Sequence, residues 1–148
     1  MAGKLKILFL CTGNSCRSQM AEGWAKALKG KMIEAYSAGV ETHGLNPLAV
    51  KVMAEAGVDI SAQRCKNVSA VLHIPFDHVV TVCSHANEAC PVFPGKARVI
   101  HVEFDDPPKL AKDAKSEGEA LPHYRRVRDE IRAFIMTLPD GLRQSEKE

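Results

Sequence analysis

The stretch KILFLCTGNSCRSQ, Lys6 to Gln19, runs an apolar segment directly into a loop of small residues bounded by Cys11 and Arg17. Leu5 to Leu10 reads as a strand covered on both faces, the pattern of a central strand in a parallel sheet. After it, Ser18 to Lys29 carries Met20, Ala21, Trp24, Ala27 and Leu28 at helical spacing, with Gly30 placed to stop the helix. The loop between strand and helix has the spacing Cys-x5-Arg. Its small residues let the backbone curl so that N–H groups point inward and form a nest for an oxyanion. The following helix N-terminus adds positive potential. Arg17 can offer a planar fork to two oxygens, and the same field favours a thiolate at Cys11. Thr12, Gly13, Asn14, Ser15, Cys16, Arg17 and Ser18 are the candidate oxyanion-binding residues, with Cys11 as nucleophile beneath the bound anion. A nucleotide-binding loop would need Gly-Lys-Ser/Thr, which is absent here.

The rest of the chain repeats the strand–helix alternation. Met32 to Ala38 reads as a second strand. Asn46 is a good N-cap, Pro47 suits the first helical position, and Gly57 closes the helix they open. Leu45 and Val50 are placed for a hydrophobic staple. Val79 to Val82 and Ala97 to Phe104 read as the third and fourth strands. Val127, Ile131, Phe134, Ile135 and Leu138 mark one face of a last helix, which Pro139 and Gly141 end. This alternation predicts an α/β fold with a parallel sheet of about four strands. Sites in such sheets lie beyond the carboxyl ends of the strands. Cys11, Cys83 and the DDPP segment (Asp105 to Pro108) all fall there.

At 148 residues the chain suits one domain with a real core. A domain over 1–141 and a mobile tail over 142–148 are expected. Aromatic residues make up only 5%, so the core should be mainly aliphatic. A net charge of +2 gives no footprint for nucleic acid. The apolar run Ile7 to Leu10 is too short for a signal peptide or a membrane span. A cytoplasmic monomer is expected, with its thiols reduced. Five cysteines, an odd number, argue against a structural disulfide framework. The spacing Cys83-Ser84-His85-x4-Cys90 lacks a second ligand pair and is not read as zinc. Cys65 reads as structural or incidental. The six histidines show neither catalytic nor metal spacing and receive no role.

The segment KILFLCTGNSCRSQMAEGW closely resembles the signature of the low-molecular-weight protein tyrosine phosphatase superfamily, and within it the thioredoxin-coupled arsenate reductases. The resemblance extends through SAGVETHGLNP, the Cys83/Cys90 segment, and FDDPP followed by YRRVRDEI. It implies a single-domain, four-stranded parallel sheet in the order 2-1-3-4 flanked by helices. Two departures point away from a phosphatase: Gln19 stands where phosphatases have proline, and Pro108 and Lys109 stand where they carry aromatics.

The resemblance also implies the chemistry. Arsenate is the substrate, with phosphate or sulfate as mimics. Cys11 attacks arsenic. Asp106, the acid directly before proline, protonates the leaving oxygen, with Asp105 as the alternative. Cys83 and Cys90 resolve the adduct, and thioredoxin reduces the resulting disulfide. If Cys83 to Cys90 is helical in the reduced state, seven positions span roughly 10 Å. A disulfide needs Cα atoms within about 7 Å, so the segment must unwind on oxidation. A phosphatase, or a redox sensor without turnover, are the competing readings. Cys16 has two readings, a supporting residue of the loop or a disulfide partner of Cys11. The resemblance further implies a potassium site near Asn14, Glu22 and Ser37, but Lys66 falls where a further acidic ligand is usual, and its ammonium can replace the ion.

Overall fold

Strand β1, Leu5–Cys11, lies inside the sheet, and Ile7 to Leu10 are fully buried. The computed structural model describes residues 4–82 and 97–142. Cys83, Cys90, the helix expected between them and the tail residues 143–148 lie outside the described residues. Strand β2 is Ile33–Gly39, β3 is His78–Thr81 and β4 is Arg98–His101. All pairings are parallel, as the strand–helix alternation predicts, and the order is β2-β1-β3-β4, as the resemblance implies. The described helices are α1, Arg17–Lys29; α2, Pro47–Glu55; α3, Pro107–Leu110; and α4, Glu117–Met136.

The period of two along β1 divides the core. Ile7, Phe9 and Cys11 pack with α1, α2 and α4 on one face. Leu8 and Leu10 pack with Val71, Phe76 and Val79 on the other. Cys11 is therefore the last inward residue on the helix-rich face. On that face, Met20 and Trp24 of α1 share one cluster with Val127, Ile131 and Ile135 of α4. Trp24 Nε1 donates to the Arg128 carbonyl at 3.1 Å, which satisfies the indole at the seam.

The N-terminus of α2 follows the sequence reading. Asn46 Oδ1 accepts from the N–H groups of Leu48 and Ala49 at 2.8 and 3.3 Å, with Pro47 as the first helical residue. Strand β4 is shorter than the expected Ala97 to Phe104. It is the sheet edge, Val99 is 52% exposed, and beyond it the chain turns toward Asp106. Leu142, expected to open the tail, is buried in the core instead. Among the described residues, no helix is long and apolar enough to cross a membrane.

Candidate active site

A cleft of about 280 Å³ opens over the carboxyl ends of the strands. Cys11, Thr12, Gly13, Ser15, Cys16 and Arg17 line it from the loop between β1 and α1, and Asp106 and Pro108 line it from beyond β4. The loop and the DDPP segment are thus brought together, as the topology required.

The conformation of the loop is fixed from outside. The carbonyls of Thr12, Gly13 and Ser15 accept from the N–H groups of Glu41, His43 and Asn46 at 2.9, 3.2 and 3.0 Å. These three bonds fix the peptide planes on which the Gly13, Asn14 and Cys16 N–H groups lie opposite the bonded carbonyls. Cys16 stands at the N-cap of α1 and makes no side-chain capping bond. No cap side chain from that residue competes with an anion for the first-turn amides. Gly39 permits this approach: a Cβ there would lie 2.7 Å from the Thr12 carbonyl oxygen.

A polar chain leads from the interior to the Cys11 sulfur. Asn14 is fully buried and holds a left-handed backbone with φ 49°. Its Oδ1 accepts from Lys66 N–H at 2.7 Å and from Gln19 Nε2 at 3.1 Å, which orients the amide. Its Nδ2 then donates to Ser18 Oγ at 2.9 Å. Ser18 Oγ lies 3.1 Å from Cys11 Sγ, and toward a thiolate only the hydroxyl can donate. Such a donor stabilises negative charge on the nucleophile.

Arg17 is only 4% exposed. Its Nη1 donates to the carbonyls of Val82 and Phe104 at 3.3 and 3.1 Å, spanning the ends of β3 and β4. Its Nη2 lies 3.7 Å from Asp106 Oδ1. Asp105 instead pairs with Arg126 at 2.9 Å and does not line the cleft. Burial pushes the Cys16 thiol well up, and Asp106 and Cys11 push it further in the same direction. Cys16 therefore stays protonated beside the nucleophile, which suits a supporting residue. Cys11, Cys16 and Cys65 form no disulfide. Cys65 Sγ donates to the Gly13 carbonyl at 3.2 Å, so it also touches the loop.

A model of the low molecular weight phosphotyrosine protein phosphatase family matches residues 6–148. The chain belongs to that family. An arsenate reductase of Halalkalibacterium halodurans is 49% identical over 137 residues, 93% of this chain and 96% of the relative. An arsenate reductase of Bacillus subtilis is 50% identical over 125 residues, covering 84% and 88%. A solved structure described as an arsenate reductase in the phosphate binding state superposes with TM-score 0.74 at 30% identity, over 90% of this chain and 95% of its own.

In this member of the phosphatase family no Phe, Tyr or Trp lines the cleft among the described residues, and Pro108 occupies its wall. The oxygens of the implied potassium site are already engaged. Ser37 Oγ donates to Glu22 Oε1 at 2.6 Å, and Lys66 Nζ lies 3.8 Å from the same oxygen. Lys26 pairs with Glu22 Oε2, and Asn14 Oδ1 holds the two donors described above. These residues do not fit a further cation.

Two groups at the site were not read from the sequence. Gln63 Nε2 donates to Gln19 Oε1 at 2.8 Å and so braces the polar chain from behind. The signal for Gln19 was a polar residue beside Met20 and Ala21, and it is fully buried. His43 lines the cleft although its sequence spacing marks nothing.

Proposed function

We propose that the protein reduces arsenate to arsenite through a relay of Cys11, Cys83 and Cys90, with thioredoxin as reductant. The observation that carries this reading is the cleft itself. It joins Cys11, Arg17 and Asp106 in a chain about half identical to proteins named arsenate reductase.

The loop amides and Arg17 hold the arsenate oxygens, and Cys11 Sγ attacks arsenic to form an S–As bond. Asp106 donates a proton to the departing oxygen, which leaves as water. Cys83 then attacks the Cys11 sulfur. The S–As electron pair stays on arsenic, taking As(V) to As(III), and arsenite departs from a Cys11–Cys83 disulfide. Cys90 attacks Cys83, releasing the Cys11 thiolate and leaving a Cys83–Cys90 disulfide, which the thioredoxin dithiol reduces. Lys66 supplies the positive charge beside Glu22, so no resident potassium is required. The protein acts in the cytoplasm, where that reductant is available.

The test is NADPH oxidation with arsenate, thioredoxin and thioredoxin reductase, beside glutathione with glutaredoxin. Turnover is expected only with thioredoxin, at equal rates in sodium and potassium buffers. Turnover only with glutaredoxin would remove the proposed partner. A strong potassium requirement would remove the assignment of Lys66. A phosphatase reading rests on the family, and the lack of a Phe, Tyr or Trp in the cleft wall among the described residues argues against it. Rapid hydrolysis of a phosphotyrosine peptide by the same preparation would favour it.

A further inference from the structure

The mouth of the cleft holds a pair that the relay does not use. His43 lines the cleft together with Cys11, Arg17 and Asp106. Its Nε2 lies 2.7 Å from Glu41 Oε2, within hydrogen-bond distance. We propose that His43 is a substrate-binding residue, whose Nδ1, aimed by Glu41 on the other ring nitrogen, donates to an oxygen of the bound tetrahedral oxyanion. The inference rests on the reading of the Cys11–Arg17 loop as an oxyanion site.

Three features place the ring there. A Cβ at position 13 would lie 2.4 Å from His43 Nδ1, so the Nδ1 edge rests on the loop itself, against Gly13. The segment is also tied to that loop by backbone bonds, Glu41 N–H to the Thr12 carbonyl at 2.9 Å and His43 N–H to the Gly13 carbonyl at 3.2 Å. With Nε2 committed to a carboxylate, Nδ1 is the nitrogen left to serve the cleft. The blander reading is a surface ion pair, since both side chains are more than half exposed. Such a pair contributes little to stability, and it does not require the opposite ring edge to sit on an anion loop.

In the imidazolium form both nitrogens donate, one to Glu41 and one to the substrate. The charged groups around it are Glu41 on its own segment, and Cys11, Arg17 and Asp106 across the cleft, with the protonated Cys16 thiol beside them.

The test measures inorganic phosphate binding by titration calorimetry, with no reductant and no turnover. His43→Phe keeps a ring on Gly13 but removes the donor, and should weaken phosphate at least about tenfold, the size of one lost hydrogen bond to a charged group. His43→Asn places an amide donor near the Nδ1 position and should recover most of that loss. In the arsenate assay the same His43→Phe change should appear mainly in KM. Wild-type phosphate affinity in His43→Phe would overturn the proposal, and so would equal losses in Phe and Asn, because the ring would then serve only as packing. If the wild-type protein bound no phosphate, the oxyanion reading would fall and this proposal with it. If it bound phosphate but failed to reduce arsenate, only the reductase reading would fall.

Discussion

Asn14 shows how much of the site depends on single atoms. Its left-handed backbone suits asparagine better than most residues, and its side chain donates to the one hydroxyl that lies against the Cys11 sulfur. Ser18→Ala removes that hydroxyl and leaves Asn14 Nδ2 without its acceptor. A hydrogen bond to a charged group contributes roughly 1.5–3 kcal/mol. The variant should therefore lose at least about tenfold in kcat/KM for arsenate, and a thermal melt would show whether the fold is retained. An unchanged kcat/KM would mean that Ser18 does not act on the nucleophile. Gln19 and Gln63 brace the same chain, yet neither is legible from spacing. Gln63 reaches Gln19 across 44 positions, a contact set by tertiary packing alone.

At the scale of elements, the capped helix α2 links stability to the site. Asn46 caps α2 through Oδ1, meets the Tyr124 hydroxyl through Nδ2 at 3.1 Å, and donates its backbone N–H to the Ser15 carbonyl. Asn46→Ala should cost about 1–2 kcal/mol in urea unfolding, the usual cost of losing a good cap. Asn46→Asp keeps the capping oxygen and should cost less; equal losses would show that the cap is not the source. Elements with local signals were legible in the sequence. The apolar run of β1, the periodic face of α1 and the Asn46–Pro47 start of α2 all stand where the sequence put them. Elements set by their surroundings were not. Strand β4 ends early because it pairs on one side only. The start of α4 at Glu117 was hidden by Pro122, a residue that usually breaks helices. The short helix α3 has only four residues, too few to show a period.

Across the whole molecule, the parallel sheet makes distant residues neighbours. Arg17 touches the ends of β3 and β4, 65 and 87 positions away along the chain. The loop was legible because a strand, an anion nest and a helix N-terminus are consecutive in sequence. Asp106 was placed by resemblance, and the geometry separates it from Asp105 by giving the latter to Arg126. His43 escaped notice because its partner surface, Gly13, is a residue with no side chain.

The central claim is that Cys11 bonds to arsenic and that attack by Cys83 on the Cys11 sulfur leaves the S–As electron pair on arsenic. The most direct measurement uses Cys90→Ser, incubated with arsenate in the absence of any reductant. Arsenite is quantified, and the disulfides are mapped by mass spectrometry. The account predicts about one arsenite per protein molecule and a Cys11–Cys83 disulfide, with no arsenite from a parallel Cys11→Ser sample. Arsenite without that disulfide, or arsenite from Cys11→Ser, would contradict it.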